Sequence, residues 1–326
     1  MIEKGIFIVG FRKSGTTSLF DMLSRHPSVG RPAFKEPQFF CLDEETVERH
    51  FDWYASAMVR DDKALLDAST LYVHDPRVRR TIARHVRQPR FVICLRTPVS
   101  RFISAYTHMC NRGRSERRPL DEVLAGHTSS AAGELLAQEE RNLAQAKREG
   151  RVDPNYLGED YHRRSFGAHF PTRLPDADVF YRYFKESLYS RVLDGWDGPE
   201  VRLVSFERLI RRPEAEMRAL LEFLELPFPD DFDCDLPANR NIAVRESPRL
   251  IRIKDHLRRH GMTRLLPGRL AMGIKRFLGA PPSIGITESN KATLWRLLEE
   301  EFTYWRLNRP EVHESWTGTR KASRLP

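Results

Sequence analysis

The stretch VGFRKSGTTSLFDMLSRHPSV, Val9 to Val29, follows an apolar run and reads as strand, glycine loop and helix. It has the outline of a phosphate loop, but its cation is displaced. A Walker loop, G-x-x-x-x-G-K-[ST], puts Lys directly after the second Gly, where it reaches the outer phosphates. Here Gly10 and Gly15 keep that spacing, Thr16 takes the lysine position, and Lys13 stands two residues before Gly15. Consecutive backbone N–H groups at a helix N-terminus suit phosphate or sulfate. Thr16, Thr17 and Ser18 add hydroxyl donors and Lys13 a full charge, so Arg12, Lys13, Ser14, Gly15, Thr16, Thr17 and Ser18 are the candidate anion ligands. The plainer alternative is a strand-to-helix turn capped by a threonine.

The same alternation continues along the chain. GIFIVG (Gly5 to Gly10) predicts a buried strand, and TTSLFDMLSRHP a helix that stops before Pro27. RFVICL (Arg90 to Leu95) predicts a second strand, after which Pro98 opens a helix in the favoured first-turn position. EVRLVSF (Glu200 to Phe206) predicts a third, followed by the helix PEAEMRALLEFLEL. Strands alternating with helices predict an α/β fold with a central parallel sheet flanked by helices. Residues 1–310 are expected to form one domain. Within it, the polar stretch 111–164 reads as an insertion, with an exposed helix ELLAQEERNLAQAKREG, serving as lid, substrate-binding wall or solvated excursion. Residues 237–310 read as a basic helical part ending in one amphipathic helix, KATLWRLLEEEFTYWRL, and residues 311–326 as a loose tail.

The chain has 326 residues, 40% hydrophobic and 30% charged, which describes a globular protein with an ample core. Its formal charge of +9 favours anionic partners: nucleotide phosphates, acidic glycans, nucleic acid or membrane lipid. Cys41, Cys94, Cys110 and Cys234 are scattered, without C-x-x-C spacing, and suit a reducing, cytoplasmic location. The apolar run Ile6 to Val9 is too short for a signal peptide, and no run is long enough to span a membrane. The histidines form no H-E-x-x-H, and His256 and His260 fall in a basic, solvated KDHLRRH.

A second stretch, FVICLRTPVSRFISAYTHM, places Arg96 at the end of a predicted strand and Ser104 inside the helix that follows. Strand ends in open α/β sheets face the ligand crevice. There Arg96 could clamp a phosphate with its planar fork and Ser104 add a hydrogen bond. Taken alone, an Arg at a strand end reads as a surface ion pair and Ser104 as an ordinary helix residue.

Together the two stretches resemble the sulfotransferases that use 3'-phosphoadenosine 5'-phosphosulfate (PAPS). In that family a K-x-G-T-T loop, here KSGTT, receives the 5'-phosphosulfate, and an R-x-P-x-x-R-x-x-S-x-Y segment, here RTPVSRFISAY, the 3'-phosphate. KEPQFF, Lys35 to Phe40, looks like the K-E-x-x-F-F of heparan-type members, whose Glu is the catalytic base. The segment VRLVSFERLIRRPEAEMRALLEFLEL also resembles that family's strand and Glu-x-Leu helix, so the likeness spans Ile6 to Tyr106 and Tyr181 to Leu226. One departure stands out: where heparan-type enzymes carry E-K-[ST]-P-x-Y, this chain has DASTLY, with Ala68 at the lysine position.

The resemblance implies a P-loop-NTPase-like fold, PAPS as co-substrate and no metal. Lys13 and the loop amides would stabilise the leaving adenosine bisphosphate, and Glu36, shielded by the aromatics of PQFF, would take the acceptor proton, with His74 as the reserve base. Lys35, Tyr72 and Ser69 or Thr70 would line the site of a small-molecule or glycan acceptor. A P-loop kinase is the main rival, but RFVICLRTP ends its strand in Arg rather than in an Asp for Mg²⁺. A basic nucleic-acid binder is disfavoured because the arginines are dispersed and not interleaved with aromatics.

Overall fold

The computed structural model describes residues 1–33, 35–59, 63–111, 115–153, 177–236 and 284–317. Among them four strands, β1 (Ile2–Gly10), β2 (Leu65–Asp67), β3 (Val86–Leu95) and β4 (Val201–Ser205), form one parallel sheet in the order β2-β1-β3-β4. The helices are α1 (Thr16–Leu23), α2 (Glu44–Met58), α3 (Pro76–His85), α4 (Pro98–Asn111), α5 (Leu120–Leu124) and α6 (Ala132–Arg148). Later in the chain come α7 (Tyr189–Val192), α8 (Phe206–Arg211), α9 (Pro213–Phe223), α10 (Glu288–Leu297), α11 (Glu299–Asn308) and α12 (Pro310–Thr317).

Side chains alternate across each strand, and here both faces are buried. Ile6, Ile8, Leu66, Val92, Cys94 and Val204 pack with Leu19, Phe20 and Leu23 of α1 and Met217, Leu220 and Leu221 of α9. Phe7, Val9, Leu65, Phe91, Ile93 and Leu95 turn the other way, into a larger core shared with α2, α3 and α4. Burial on both sides is why these strands read as continuous apolar runs. It also makes the expected α/β architecture with a central parallel sheet the observed one. Strand β2 escaped the sequence reading because it is three residues long. Helix α2 was also missed, although Val47, Phe51, Tyr54 and Met58 recur on one buried face and Asp43 caps it by accepting from Thr46 N–H at 2.9 Å.

Three expectations need correction. The polar stretch, as far as residues 115–153 describe it, is packed into the body and is neither an exposed helix nor a solvated excursion. Glu116 and Arg118 form a buried ion pair at 2.7 Å, and the Tyr183 hydroxyl donates to Glu116 at 3.0 Å. Helix α6 buries Leu135, Leu143, Ala146 and even Glu139, whose carboxylate accepts the N–H groups of Phe184 (2.6 Å) and Lys185 (2.9 Å). The single C-terminal helix is broken at Leu298 into α10 and α11, and buried Glu301 in α11 accepts from the Ser190 N–H and hydroxyl and from Trp305. Residues 311–317 are no tail: α12 buries Trp316 against Trp305 and Tyr189, and Ser315 Oγ lies 2.7 Å from Ser205 Oγ. The basic stretch 237–283 and residues 318–326 lie outside the described residues.

The order β2-β1-β3-β4 makes the chain leave β1 toward one side and β3 toward the other. Between their C-terminal ends is the crevice where open α/β sheets bind ligands.

Candidate active site

The loop from Phe11 to Gly15 enters that crevice. Ser14 N–H donates to Phe11 O at 3.1 Å, and Lys13 (φ 68°) and Gly15 (φ 92°) both adopt left-handed backbone. Only glycine serves at position 15, since a Cβ there would come within 2.2 Å of Phe206 Cδ2. Leu19 N–H reaches back to Gly15 O at 3.0 Å, and the amides before it, in the first turn of α1, have no partner within the helix. Thr16 and Ser18 are buried there and Thr17 is exposed. Ser14 Oγ is wholly buried next to the Tyr189 hydroxyl yet makes no hydrogen bond of standard geometry. A buried hydroxyl and a turn of amides are together suited to an anion.

Lys13 Nζ lies 3.3 Å from His108 Nδ1 on α4. With the lysine charged, the imidazole accepts. His108 is one turn beyond Ser104, so both share the face of α4 opposite buried Phe102 and Tyr106. Arg96, at the end of β3, donates through Nη1 to Lys13 O at 3.4 Å, and its guanidinium carbon stands 5.1 Å from the centre of the Phe206 ring. Burial pulls its pKa below the ordinary arginine value, opposed by Glu207. Glu207 also accepts from the Thr97 N–H (2.8 Å) and hydroxyl (2.6 Å), fixing the start of α4 beside Arg96.

An expected anion ligand, Arg12, and the expected reserve base, His74, are both held in a buried ionic cluster. Arg12 points inward, not into the loop: its guanidinium donates to Glu186 at 2.9 Å and to Phe180 O at 3.0 Å, and lies 4.1 Å from the Phe180 ring centre. His74 joins the same cluster, with Nε2 3.5 Å from Glu186 and its ring edge-on to Phe11, so it does not stand by as a base beside Glu36. Arg101, the second arginine of RTPVSR, completes the cluster by donating to Glu186 at 2.7 Å and to Tyr183 O at 2.6 Å. Burial works to raise the Glu186 pKa, but Arg12, His74 and Arg101 outweigh it and hold the carboxyl at about 2. One carboxylate therefore ties the phosphate loop and α4 together.

A second group of candidates gathers at the end of β2. Lys35 and Glu36 pair at 2.5 Å, both partly exposed, and Lys35 Nζ stands 5.9 Å from the centre of the Phe20 ring on α1. Phe39 and Phe40 do not shield Glu36: Phe39 stacks on Tyr54 at 4.5 Å and Phe40 meets Phe7 edge-on at 6.1 Å, both in the core. Ser69 and Tyr72 are fully buried and so line no acceptor site, as is Thr70 at 2% exposure. Their hydroxyls bond Asp67, at 2.6 Å from Ser69 and 2.9 Å from Tyr72.

Residues 3–241 match the family profile of the sulfotransferase domain. The chain belongs to the sulfotransferase domain family. It is 26% identical over 227 residues to mouse (Mus musculus) heparan sulfate glucosamine 3-O-sulfotransferase 5, covering 68% of this chain and 53% of that protein. It is 22% identical over 262 residues to the membrane-associated sulfotransferase kil1 of Dictyostelium discoideum, covering 67% of this chain and 55% of that one. The chain thus spans about half the length of these curated relatives. Among solved structures, a sulfotransferase from Alicyclobacillus acidocaldarius, 21% identical, superposes with a TM-score of 0.48, covering 94% of this chain and 100% of that one.

Within this sulfotransferase domain, Ala68 is wholly buried in the core beneath α1. The residues that the sequence reading missed are Asp67, His108, Glu186 and Glu207. Glu186 carries no motif of its own and acts on Arg12 and Arg101, distant in the chain, whereas Asp67 and Glu207 stand within DASTLY and the Glu-x-Leu segment, where neither had a role assigned. His108 had a signal, its spacing of four from Ser104 on a helix already placed at the crevice.

Proposed function

We propose that this domain transfers the sulfuryl group of PAPS to a hydroxyl or amine of an acceptor. The observation that carries the reading is the convergence, at the β1/β3 crevice, of Lys13, buried Ser14 Oγ, the first-turn amides of α1 and Arg96. Such a set suits a ligand with two separated anionic groups. Lys13, Ser14 and the α1 amides would hold the 5'-phosphosulfate, and Arg96 with Ser104 the 3'-phosphate. An acceptor oxygen attacks sulfur, the bond from sulfur to the bridging phosphate oxygen breaks, and the acceptor proton passes to Glu36. Charge then builds on the departing phosphate, where Lys13 and the amides act most strongly. A glycan is the first acceptor class to test, since the mouse relative is named for heparan sulfate glucosamine. Burial of Ala68 sets this domain apart from a two-lysine arrangement. Four unpaired thiols support residence in a reducing cytoplasm.

Calorimetry tests the donor half. Adenosine 3',5'-bisphosphate should bind at least tenfold more tightly than adenosine 5'-phosphate, the weight of about one charge-assisted hydrogen bond. In Arg96→Ala that preference should vanish while 5'-phosphate binding stays. Equal affinities in the unaltered protein would overturn the reading. Labelled PAPS offered with a panel of glycans and small alcohols then identifies the acceptor.

A further inference from the structure

We propose that Asp67 is the positioning residue of the acceptor half of the site, holding the turn from Lys35 to Phe40, and with it Glu36, through Ser69 and Tyr72. The proposal rests on the reading of Glu36 as general base.

Asp67 ends β2 with 0% exposure, and both of its oxygens accept hydrogen bonds. Oδ1 takes the Ser69 hydroxyl at 2.6 Å; Oδ2 takes the Tyr54 hydroxyl at 2.7 Å and the Tyr72 hydroxyl at 2.9 Å. A hydroxyl whose proton points at a carboxylate has its lone pairs free elsewhere. Two of the three use them on the backbone of the turn: Ser69 Oγ accepts Gln38 N–H at 2.9 Å, and Tyr72 Oη accepts Phe40 N–H at 3.2 Å. The direction of every bond in this relay follows from Asp67 being an acceptor only.

The turn needs such support. Glu36 (φ 58°) and Gln38 (φ 54°) are both left-handed without being glycine. Each costs about 1–2 kcal/mol relative to ordinary backbone, and such residues persist where their surroundings over-determine them. Pro37 between them removes one donor, so the Gln38 and Phe40 amides are the handles by which the turn is held. Tyr54 adds a second hold, since its hydroxyl bonds Asp67 while its ring stacks on Phe39. Burial, helped by the Glu36 charge, pushes the Asp67 carboxyl up to about 6 against the three hydroxyl bonds, so the two carboxylates are within electrostatic reach.

An asparagine at position 67 keeps the shape but puts an N–H where a hydroxyl proton now points. That hydroxyl must turn its proton away from position 67, loses the carboxylate that now orients it, and holds the turn less firmly. Asp67→Asn should therefore lower kcat by about 10–100-fold, the scale set by misplacing a reacting group by about 1 Å. The adenosine 3',5'-bisphosphate Kd should stay within about twofold, because the donor residues sit on other elements. Ser69→Ala, which removes the Gln38 acceptor and one of the three hydroxyl donors to Asp67 but keeps the carboxylate, should act in the same direction and serves if Asp67→Asn does not fold.

A double-mutant cycle separates positioning from mere stability. In a Glu36→Gln background neither substitution should lower kcat further, since the group they position no longer takes the proton. If Asp67→Asn and Ser69→Ala lower kcat by the same factor in both backgrounds, or weaken bisphosphate binding in parallel, or leave kcat unchanged, the proposal is wrong. If instead Glu36→Gln by itself retains full activity, the reading of Glu36 fails, and the proposal with it, by a different and recognisable result.

Discussion

Lys13 and its neighbour Arg12 show how one residue step divides a side chain facing the crevice from a buried anchor. The left-handed turn at Lys13 sends its ammonium toward His108 and the crevice, while Arg12 is drawn inward by Glu186. Lys13→Ala should lower kcat by about 10²–10³, the usual loss for one donor to a developing anion. The bisphosphate Kd should change far less, which single-turnover kinetics beside calorimetry will show; equal losses in both would mean simple ground-state binding. Glu36→Gln keeps size and polarity but cannot take a proton, so kcat should fall about 10²–10⁴-fold with donor binding intact. Retention of activity would remove Glu36 from the reaction. Lys13 and Arg96 could be placed at the crevice from sequence because each follows a strand within a local motif. Arg12 and His74 were misjudged because their partner is set by tertiary contact, Glu186 lying 174 residues beyond Arg12, and Ser69 and Tyr72 because their burial is set by packing.

At the level of elements, the site is made by the junctions after β1, β2 and β3. Gly15 belongs to the first, and its lack of a side chain lets α8 bring Phe206 against the loop and under Arg96. Gly15→Ala adds a Cβ in left-handed backbone, worth about 1–2 kcal/mol, and a clash with the ring. The variant should melt several degrees lower and lose bisphosphate binding in a thermal-shift titration. Adding Phe206→Ala relieves the clash but not the backbone, so it should recover only part of the loss. Full recovery would show that the backbone conformation at position 15 is immaterial. These junctions could be placed from sequence because strand, glycine and helix follow each other closely. Strand β2 could not, since three residues between two longer helices leave no periodic pattern.

Across the whole molecule, the Glu186 cluster joins the phosphate loop, α4 and the segment after α6 in one buried ionic network. Replacing Glu186 by Gln leaves two arginines without their counter-charge, and breaking a buried pair in this way commonly costs about 3–5 kcal/mol. Urea unfolding at pH 7 should show that loss. The pH dependence has a definite sign: the folded-state pKa of about 2 lies below the ordinary 4.5, so the stabilisation is fully present above pH 4.5 and is lost as pH falls toward 2. The stability gap between the unaltered protein and Glu186→Gln should therefore narrow between pH 4.5 and 2. A gap independent of pH would mean that Gln fails for reasons of shape rather than charge. The C-terminal helices belong to the same scale, since Trp305 and Trp316 pack around Tyr189, whose hydroxyl donates to Arg96 O at 2.8 Å.

By itself the amino-acid sequence determined the α/β class, the succession of its long strands along the chain, and the two stretches around Lys13 and Arg96 that meet at the crevice. Those features are local: apolar runs buried on both faces, a glycine at a left-handed position, and charges fixed at strand ends. Only the tertiary structure decided that Arg12 and Arg101 meet on Glu186, that Asp67 directs the hydroxyls under the Glu36 turn, and that residues 311–317 close over the core. The physical reason is common to all three. A buried charge or hydroxyl is satisfied by whichever partner the packing brings within about 3 Å, and chain separation carries no record of that meeting.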